Sequence, residues 1–569
     1  MGRVFRRVSA LVCATLLASA AAASAAGSGQ YVVVYEQGSS LAAARQAVQA
    51  AGGTIVSENA DVGVATVRSG DPQFVQKADR HSAIRGAADN RPIGRALDAR
   101  AKPAGRGVEY ERGTPTLGRA ADPPPASSDP LSGLQWDMAL IGATPAGSYA
   151  REQGDHRVRV GIIDTGVDGT HPDIAPNFDR ALSRNFTVDN SQPGIDDGPC
   201  EHPGCVDPVD EDPNGHGTHV AGTVGAALNG LGTAGVAPRA DLVNLRASQD
   251  SGFFLIQSVV DALTYAGRAG IDVVNMSFFI DPWLYNCARN PSDSPAEQAQ
   301  QRTIIAATQR AVNFAHRRGV TLIGSAGNES TDLGKPTVDS ASPNFPEGAV
   351  RARTVDDSCL VLPTEAEHVL SVSSVGPVNA AASPYPRKAY YSNYGLQQTV
   401  VAAPGGDRLE FLDTPQFNAP ETRILAPYPL GVARACGEVD DAGVPNGNTT
   451  CGGPTRFPPL VRDCAQGVCG LYQWIQGTSM AAPHASGVAA IIVARAGRRD
   501  PAHGGLTLAP RVVERILRRT ATDTPCPAQS PFVYLPTLIQ AVCEGSPDVN
   551  GFYGDGIVNA LAASRAGGG

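Results

Sequence analysis

The stretch that decides the fold is VRVGIIDTG, residues 158–166, in which a continuous apolar run ends at an aspartate and a glycine turn. A run without polar alternation is typical of a strand that is buried on both faces of a sheet. Outward from it, short apolar runs alternate with helical patterns. This alternation predicts an α/β fold, a parallel sheet covered by helices on both faces. The predicted strands lie at 158–163, 243–245, 273–276 and 320–323, and the predicted helices at 217–228, 258–269 and 304–316.

Two stretches interrupt the alternation, at about 281–300 and 405–470. The second is rich in Pro, Gly and Cys, and the first holds one Cys. We interpret both as surface insertions that disulfides hold in place. Ligand sites in parallel sheets lie at the carboxyl ends of the strands, so chemistry is expected there and not in the insertions.

A separate module is predicted ahead of the sheet, over residues 31–100. Its order is strand, helix, two strands, helix and a possible last strand, which suits a small ferredoxin-like α+β module. The five patterns that carry this prediction are strands at 31–35, 54–56 and 62–67 and helices at 41–51 and 71–84. Residues 101–130 are rich in Pro and Gly, and we interpret them as an exposed linker.

The N-terminus predicts export from the cell. Three arginines precede an apolar run at 8–20, and small residues follow, so residues 1–26 are interpreted as a signal peptide. A membrane anchor is the alternative, although the run is Ala-rich for a span. No later segment is apolar enough to cross a bilayer, so we expect a secreted, extracellular protein without a membrane partner.

The cysteines agree with an oxidising compartment. The chain has 11 Cys, and removal of Cys13 with the signal leaves an even number. We therefore expect up to five disulfides. Cys200–Cys205 and Cys464–Cys469 would close short loops, while the remaining connectivity stays open. A zinc site is the alternative, but the CxxC spacing that such sites use is absent.

Composition argues against one class of function. The 569 residues are 42% hydrophobic, enough for a sizeable core. The net charge is −9, and no block of Lys and Arg stands out. A nucleic-acid-binding protein would carry a basic stripe, so no nucleic-acid partner is predicted.

Three motifs place reactive side chains at strand ends and helix starts. Asp164 follows the first strand, His216 opens the 217–228 helix within HGTH, and Ser479 opens a later helix within GTSMAAPH. Each motif alone has an ordinary explanation: a turn aspartate, a metal site formed by His216 and His219, or a capped helix start. An aspartic protease would need two Asp-Thr-Gly copies, and this chain has one.

Taken together, in the order Asp, His, Ser, the motifs resemble those of the subtilisin-like serine proteases. The resemblance runs from about 131 to 563, and it places a catalytic domain with the two insertions at 131–569. It implies a secreted endopeptidase with no catalytic cofactor. The stretches that carry it are DTG at 164–166, HGTHVAG at 216–222, SAGN at 325–328, GTSMA at 477–481 and YGDG at 553–556.

The resemblance assigns a role to each reactive residue. Ser479 would be the nucleophile, and His216 the general base and later the acid. Asp164 would hold the His216 tautomer and stabilise the imidazolium. Asn328 would donate a hydrogen bond to the oxyanion. His219 would be a packing residue and not the base.

The substrate pocket is expected at Asn275, Ser277, Phe278 and Phe279 by the same resemblance. The family carries a glycine near the position of Phe279, so a phenylalanine there would narrow or reshape the cleft. Alternatively, Phe278 and Phe279 only pack the 281–300 insertion onto the core.

A structural calcium ion is also implied by the resemblance. The matching ligands are the carboxylate of Asp173, the side chain of Asn229 and the carbonyls of Ala227, Leu231 and Thr233. These are the oxygen ligands that calcium takes. The family's remaining ligand comes from the mature N-terminus, which could not be aligned. The alternative is a plain Gly-rich surface loop.

The resemblance also gives the 31–100 module a role. Subtilases carry a propeptide in this place, which assists folding, inhibits the enzyme and is then cut off. A permanent accessory domain is the alternative. We therefore expect a monomeric zymogen whose partners are protein or peptide substrates and its own propeptide. A competing reading, a binding scaffold without catalysis, shares the fold but leaves the motifs unexplained.

Overall fold

The computed structural model describes residues 29–90, 92–96, 129–188, 200–250, 252–279, 282–344, 350–451 and 460–567. The predicted signal peptide and nearly all of the predicted linker lie outside these residues. The N-terminal module consists of β1 (Gly29–Tyr35), α1 (Leu41–Ala50), β2 (Thr54–Asn59), β3 (Val64–Ser69), α2 (Phe74–Ala78) and β4 (Ile84–Asp89), and a further strand follows, β5 (Pro92–Ala96).

The module has the predicted ferredoxin-like arrangement. Its sheet order is β2-β3-β1-β4, and the pairs of β1 and β3 with their neighbours are antiparallel. One face of this sheet packs on α1 and α2 around Val33, Val67 and Phe74. The second helix is much shorter than the predicted 71–84. Asp71 forms a turn with Gln73 instead of a helical start, and the residues from Ile84 are taken into the sheet by β1.

The larger part of the chain forms one parallel sheet with helices on both faces. Its first elements are α3 (Trp136–Leu140), β6 (Arg159–Ile163), β7 (Arg184–Asn185), α4 (His216–Gly225), β8 (Asp241–Arg246), β9 (Phe253–Leu255), α5 (Ile256–Ala269), β10 (Val273–Met276), β11 (Phe278–Phe279), β12 (Asn286–Cys287), α6 (Pro295–Arg317) and β13 (Thr321–Ser325).

The second half of this region returns to the same sheet and completes it. Its elements are β14 (Val338–Asp339), β15 (Arg353–Thr354), β16 (Cys359–Leu360), β17 (Val369–Val375), β18 (Val401–Pro404), β19 (Ile424–Tyr428), α7 (Leu430–Ala435), β20 (Val461–Ala465), β21 (Val468–Ile475), α8 (Thr478–Ala496), β22 (Arg498–Arg499), β23 (Leu506–Thr507), α9 (Pro510–Thr520), β24 (Phe532–Tyr534), β25 (Ile539–Ala541) and α10 (Ala560–Arg565).

The seven strands of the main sheet run in the order β18-β17-β13-β10-β6-β8-β7, and all their pairings are parallel. Alternate side chains of β6 enter different cores. Val160 and Ile162 pack with α4 and α8, whereas Ile163 packs with α5 and α6 on the other face. The predicted α/β class, a parallel sheet covered by helices on both faces, is therefore confirmed.

The boundaries of both predicted insertions differ in the structure. Helix α6 begins at Pro295, with Ser294 as its cap, so the end of 281–300 is helical. The stretch that follows β13 adds a second excursion, which Cys359 joins to Cys287. Within 405–470, β19 is fully buried and pairs with β21, so a strand divides the predicted insertion into a turn-rich part before Ile424 and an excursion after Tyr428.

All ten cysteines outside the predicted signal peptide are paired. The two short loops predicted from the sequence are present. The five disulfides are Cys200–Cys205, Cys287–Cys359, Cys436–Cys451, Cys464–Cys469 and Cys526–Cys543. In the part of the chain that the structure describes, no helix has the length and apolar character of a membrane span.

The second face of the module's sheet packs on the outer surface of α5 and α6. Val32, Val34, Val62 and Val64 of the module belong to the same hydrophobic core as those helices. We call these four valines, together with their polar neighbours Asn59 and Thr66, the docking surface. The Asn59 amide donates to Asp261 Oδ1 and to Thr264 Oγ1, each at 2.6 Å, and Thr66 Oγ1 donates to Gln257 at 3.2 Å.

Candidate active site

Asp164 and His216 meet where β6 ends and α4 begins. His216 Nδ1 lies 2.8 Å from Asp164 Oδ1, and both side chains are fully buried. The same carboxylate oxygen accepts the Thr165 N–H at 2.8 Å. Helix α4 approaches the strand so closely that a Cβ on Gly217 would lie 2.0 Å from the Gly166 carbonyl oxygen. The HGTH motif therefore needs its glycine to bring the imidazole to the aspartate.

Ser479 lies in the first turn of α8, with Asn328 beside it. The Ser479 hydroxyl donates to the carbonyl of Ser277 at 3.2 Å. Asn328 Oδ1 accepts the Thr478 N–H at 2.9 Å and the Thr478 hydroxyl at 3.0 Å. The Asn328 amide nitrogen is buried and has no hydrogen-bond acceptor among the described residues. A buried donor is thus left unused next to the serine.

The topology explains why these groups gather. Strands β13, β10 and β6 are neighbours in the sheet, and Asn328, Ser277 and Asp164 each follow one of them. All three residues therefore lie at the carboxyl edge of the sheet, where α4 and α8 begin and pack against each other. The amino end of α8 also directs backbone N–H groups and the positive end of its dipole toward Ser479.

His219 lies about one turn further along α4, and the hydrogen bonds of its ring go to the backbone of β19 and β21. Its Nε2 lies 3.1 Å from the carbonyl oxygens of Ile424 and Gln473. Burial lowers the pKa of His219 to about 3, so the ring stays neutral and donates from Nε2. The ring joins α4 to the ribbon of β19 and β21, in agreement with a packing role.

The four predicted pocket residues have different surroundings. Asn275 is buried beneath the surface, where its amide donates to Ser277 Oγ and its oxygen accepts from Ser486, both at 2.9 Å. Phe278 stacks on Phe254 of β9, with ring centroids 4.2 Å apart and planes inclined by 14°. Asn275 thus supports Ser277 from beneath, and Phe254 is a buried partner of Phe278 that sequence reasoning missed.

Phe279 packs on the excursion that follows β11. Its ring is partly buried against the cluster that contains Leu284, Tyr285, Cys287 and Val361. The alternative considered from the sequence, that this phenylalanine packs the insertion onto the core, describes its contacts.

Glu329 and Asn393 are further residues that the sequence analysis missed. The Asn393 amide donates to Glu329 Oε2 at 2.6 Å, and its oxygen accepts the Glu329 N–H at 3.1 Å. Burial raises the pKa of Glu329. Gly327 has a φ of +101°, and a Cβ there would lie 2.4 Å from Asn393 Nδ2. The pair fixes the turn that carries Asn328, and only the position of Glu329 next to Asn328 could have indicated it.

The predicted calcium ligands surround one loop, between α4 and β8. Asp173 Oδ2 accepts the Tyr472 hydroxyl at 2.8 Å and the Thr233 N–H at 3.1 Å. Its Oδ1 is buried and has no hydrogen-bond donor among the described residues. Burial raises the pKa of the Asp173 carboxyl to about 7.

The remaining predicted ligands divide into two groups. Within the described chain, the carbonyls of Ala227, Leu231 and Thr233 accept no hydrogen bond, whereas Asn229 Oδ1 accepts the Leu231 N–H at 3.0 Å. One carboxylate oxygen and three carbonyls therefore suit a hard cation. The Asn229 oxygen would have to exchange its partner, and the Tyr472 hydroxyl already uses the second oxygen of Asp173.

Comparison with known proteins identifies the family. The sequence model of the subtilase family, Peptidase S8, matches residues 155–554. The chain therefore belongs to the subtilase family, as the motifs had indicated. The match covers all the residues at the carboxyl edge of the sheet and both excursions.

Several curated relatives are similar over part of the chain. Subtilisin Savinase of Lederbergia lenta is 31% identical over 195 residues, which cover 34% of this chain and 56% of that protein. The thermophilic serine proteinase of Bacillus sp. strain AK1 is 27% identical over 284 residues, 49% of this chain and 52% of that protein. The chain thus matches about half of the length of these relatives.

A solved structure shares the fold over nearly the whole chain. The epidermin leader peptide processing serine protease of Staphylococcus aureus has a TM-score of 0.60 and 20% sequence identity, over 95% of this chain and 98% of that chain. Fervidolysin of Fervidobacterium pennivorans has a TM-score of 0.56, over 95% and 61% of the two chains at 20% identity. The subtilisin-like fold is confirmed by these similarities.

Proposed function

We propose that the protein is a secreted serine endopeptidase, made as a zymogen that processes itself. The observation that carries the proposal is the unused amide of Asn328 beside Ser479. A packing role would have satisfied that buried donor, whereas an oxyanion hole needs it free until the reaction. The buried hydrogen bond between His216 and Asp164 supports the same assignment.

The proposed mechanism follows from these groups. His216 takes the Ser479 proton as the oxygen attacks the substrate carbonyl, and Asp164 stabilises the imidazolium. The Asn328 amide and the amino end of α8 stabilise the oxyanion. His216 then protonates the leaving amine, and water releases the acyl group from Ser479 in a second round.

The zymogen proposal rests on β5 as well as on the module. This strand lies between β9 and β11 in an antiparallel sheet of three strands. Strand β11 directly follows Ser277, whose carbonyl accepts the Ser479 hydroxyl. An extended segment of the chain therefore occupies the place where an extended substrate would pair with the cleft, which supports inhibition by the propeptide.

A fluorophosphonate probe and a peptide-cleavage assay test the proposal together. The purified protein should bind the probe at Ser479 and hydrolyse unfolded protein substrates, and Ser479→Ala should do neither. Ser486→Ala, a buried serine of the same helix, is the matched control and should keep labelling at Ser479. A protein that neither reacts nor cleaves after release of residues 31–100 would be the binding scaffold instead.

Secretion is part of the proposal and has separate support. The five disulfides are typical of an oxidising compartment. The signal peptide itself lies outside the described residues. Fractionation of cells that produce the chain should place the processed protein in the medium; retention with the membrane would favour the anchor.

A structural calcium ion is a further part of the proposal. It would be held by Asp173 and by the carbonyls of Ala227, Leu231 and Thr233, and would stabilise the loop by about 2.7 kcal/mol at a hundredfold excess over Kd. Thermal unfolding of the inactive Ser479→Ala protein should shift upward with calcium and downward with chelator. Asp173→Asn should abolish that response, and an unchanged midpoint in both proteins would contradict the site.

A further inference from the structure

Asp212 is a buried carboxylate in the loop before α4, and it takes no part in the proposed mechanism. Its Oδ1 accepts the Thr165 hydroxyl at 3.0 Å and the N–H groups of Asn214 and Gly215 at 3.1 and 2.9 Å. Its Oδ2 accepts the N–H group and the hydroxyl of Thr218 at 2.9 and 2.7 Å. The carboxylate therefore joins the turn after β6 to the first turn of α4.

These two segments carry the Asp164–His216 pair. The Thr165 N–H donates to Asp164 Oδ1 at 2.8 Å, and this is the oxygen that lies 2.8 Å from His216 Nδ1. The Thr165 hydroxyl oxygen also accepts the Gly217 N–H at 3.0 Å, while the hydroxyl donates to Asp212. Only Thr165 thus separates the Asp212 carboxylate from the carboxylate that orients the imidazole.

Helix α4 begins without a capping side chain at its own cap residue. That residue is Gly215, which has a φ of +98° and offers no side-chain acceptor. The first N–H groups of a helix need acceptors from outside the helix. Here the Gly217 N–H binds the Thr165 hydroxyl and the Thr218 N–H binds Asp212. Asp212 is therefore a charged acceptor at the amino end of α4, where a negative charge is favourable.

The charge bears on His216 because this residue is the first of α4. In the proposed reaction its ring becomes an imidazolium, and the positive end of the helix dipole disfavours a cation at this place. The donors to Asp212 are backbone N–H groups and hydroxyls, none of which carries a charge. The Asp212 carboxylate thus opposes the dipole, in addition to the contact that Asp164 makes with the ring.

We propose that Asp212 is a positioning residue of the proposed catalytic centre, which fixes the Asp164 turn against the first turn of α4 and favours the imidazolium of His216 by its charge. The inference rests on the proposed function, because it concerns the same site. Asp212 is only 5% exposed, so it acts through Thr165 and the backbone of α4 and does not touch the substrate.

Other titratable groups lie near His216 or the helix that carries it, namely Asp168, His219 and His484. The Asp168 carboxylate accepts the N–H and the hydroxyl of Thr170; burial raises its pKa, and the charge of Asp212 raises it further. His219 is neutral, since burial lowers its pKa to about 3, and His484 lies against Asp137. The Asp212 carboxylate, by contrast, receives its hydrogen bonds from both segments that hold the catalytic pair.

Steady-state kinetics of the processed enzyme test the proposal, and fluorophosphonate titration gives the concentration of competent enzyme. Asp212→Asn should lower kcat by about 10- to 150-fold and change KM little, because the amide cannot accept all five hydrogen bonds. The acid limb of the kcat/KM profile should move to lower pH by about 0.5–1 unit, because less negative charge stabilises the imidazolium. Variants that do not process themselves are cut by tagged unsubstituted enzyme, which is then removed.

Asp210→Asn is the matched control. Asp210 lies two residues earlier in the same loop and pairs with the exposed Arg180, so kcat and the pH profile should stay unchanged. Thr165→Val removes the hydroxyl and leaves the charge in place. This variant should lower kcat without moving the acid limb, and combined with Asp212→Asn it should lower kcat by less than the product of the two single effects.

Melting of the variants in the Ser479→Ala background checks that they fold, and Thr165→Val tests the positioning if Asp212→Asn does not. Equal kcat in Thr165→Val and the unsubstituted enzyme would overturn the positioning role, as would equal kcat in a folded Asp212→Asn. A lower kcat with an unmoved acid limb in Asp212→Asn would overturn the role of the charge. These outcomes leave the proposed function intact, whereas an unsubstituted protein without activity would overturn that function and this inference together.

Discussion

The proposed catalytic centre and the docking surface of the module are built in opposite ways. The centre joins short polar side chains from strand ends and helix starts, which are buried and only partly hydrogen-bonded, since the Asn328 amide has no acceptor among the described residues. The docking surface is a patch of valines of the module that packs on the outer faces of α5 and α6, together with Asn59 and Thr66, which donate hydrogen bonds to α5. The difference makes the proposed catalysis and the proposed inhibition separable by mutation, since the docking surface and the proposed catalytic centre have no residue in common.

The largest effect is expected from a substitution in the centre that leaves the docking surface unchanged. Ser479→Ala should lower turnover by about 10⁶-fold, a magnitude taken over from subtilisin itself. The precursor should stay uncut, and its free energy of unfolding should change by no more than about 2 kcal/mol, because the variant loses one buried hydrogen bond. Peptide hydrolysis, intact mass and calorimetry check these outcomes, and a fully active variant would end the serine-protease assignment.

A smaller effect within the centre concerns the oxyanion. Asn328→Ala should lower kcat by about 10²–10³ and change KM little, again by analogy with subtilisin. The reason is that the unused amide acts only when negative charge develops on the substrate oxygen. Steady-state kinetics measure both constants, and an unchanged kcat would show that the amide has another role.

The docking surface should respond in the complementary way. Asn59→Ala in the module should weaken inhibition of the mature enzyme by about 5- to 150-fold, because the partly buried Asp261 carboxylate and the buried Thr264 hydroxyl lose a donor. Ser57→Ala, an exposed change in the same strand, should have no effect. The inhibition constant of separately produced module is the measurement, and the kcat of the free enzyme must remain constant.

The smallest expected effect is a pH dependence of stability in the catalytic domain, caused by His219 and absent from the docking surface. In the folded chain the pKa of His219 is lowered to about 3, whereas its ordinary value is 6.5. When the pH falls below 6.5, the imidazole is therefore protonated in the unfolded chain and stays neutral in the folded chain. The catalytic domain should therefore lose about 2 kcal/mol of stability from this group between pH 7 and pH 5.

Denaturant unfolding in the Ser479→Ala background tests this sign. His219→Gln keeps a donor for the two carbonyls and should show a correspondingly weaker loss of stability on acidification. Identical pH profiles for the two proteins would contradict the neutral, buried state of His219.

The centre was predictable from the sequence because each of its residues lies in a local motif at the end of a regular element. The alternation of buried strands and helices fixed the class, and Asp164, His216 and Ser479 needed no long-range information. The module was also predictable in outline, since its strands and first helix follow simple periodicities.

The packing around Phe278 and Phe279 was not predictable for a physical reason. Phe254, Phe278 and the excursion tied by Cys287–Cys359 meet only through tertiary contacts, and no periodicity encodes which loop covers which ring. The register of β5 was not predictable for the same reason, because it depends on pairing with β9 and β11, which are more than a hundred residues away in the sequence. Helix α2 was overestimated because its residues prefer a helix locally, while β1 draws the segment into the sheet.

The loop disulfides have a consequence for survival among identical molecules. A protease at high concentration is digested by its neighbours, and exposed loops are cut first. Cys436–Cys451 and Cys464–Cys469 each enclose part of the excursion that follows β19. A cut inside either loop leaves both new ends bound to one molecule, so a nicked chain would keep its place around the intact sheet.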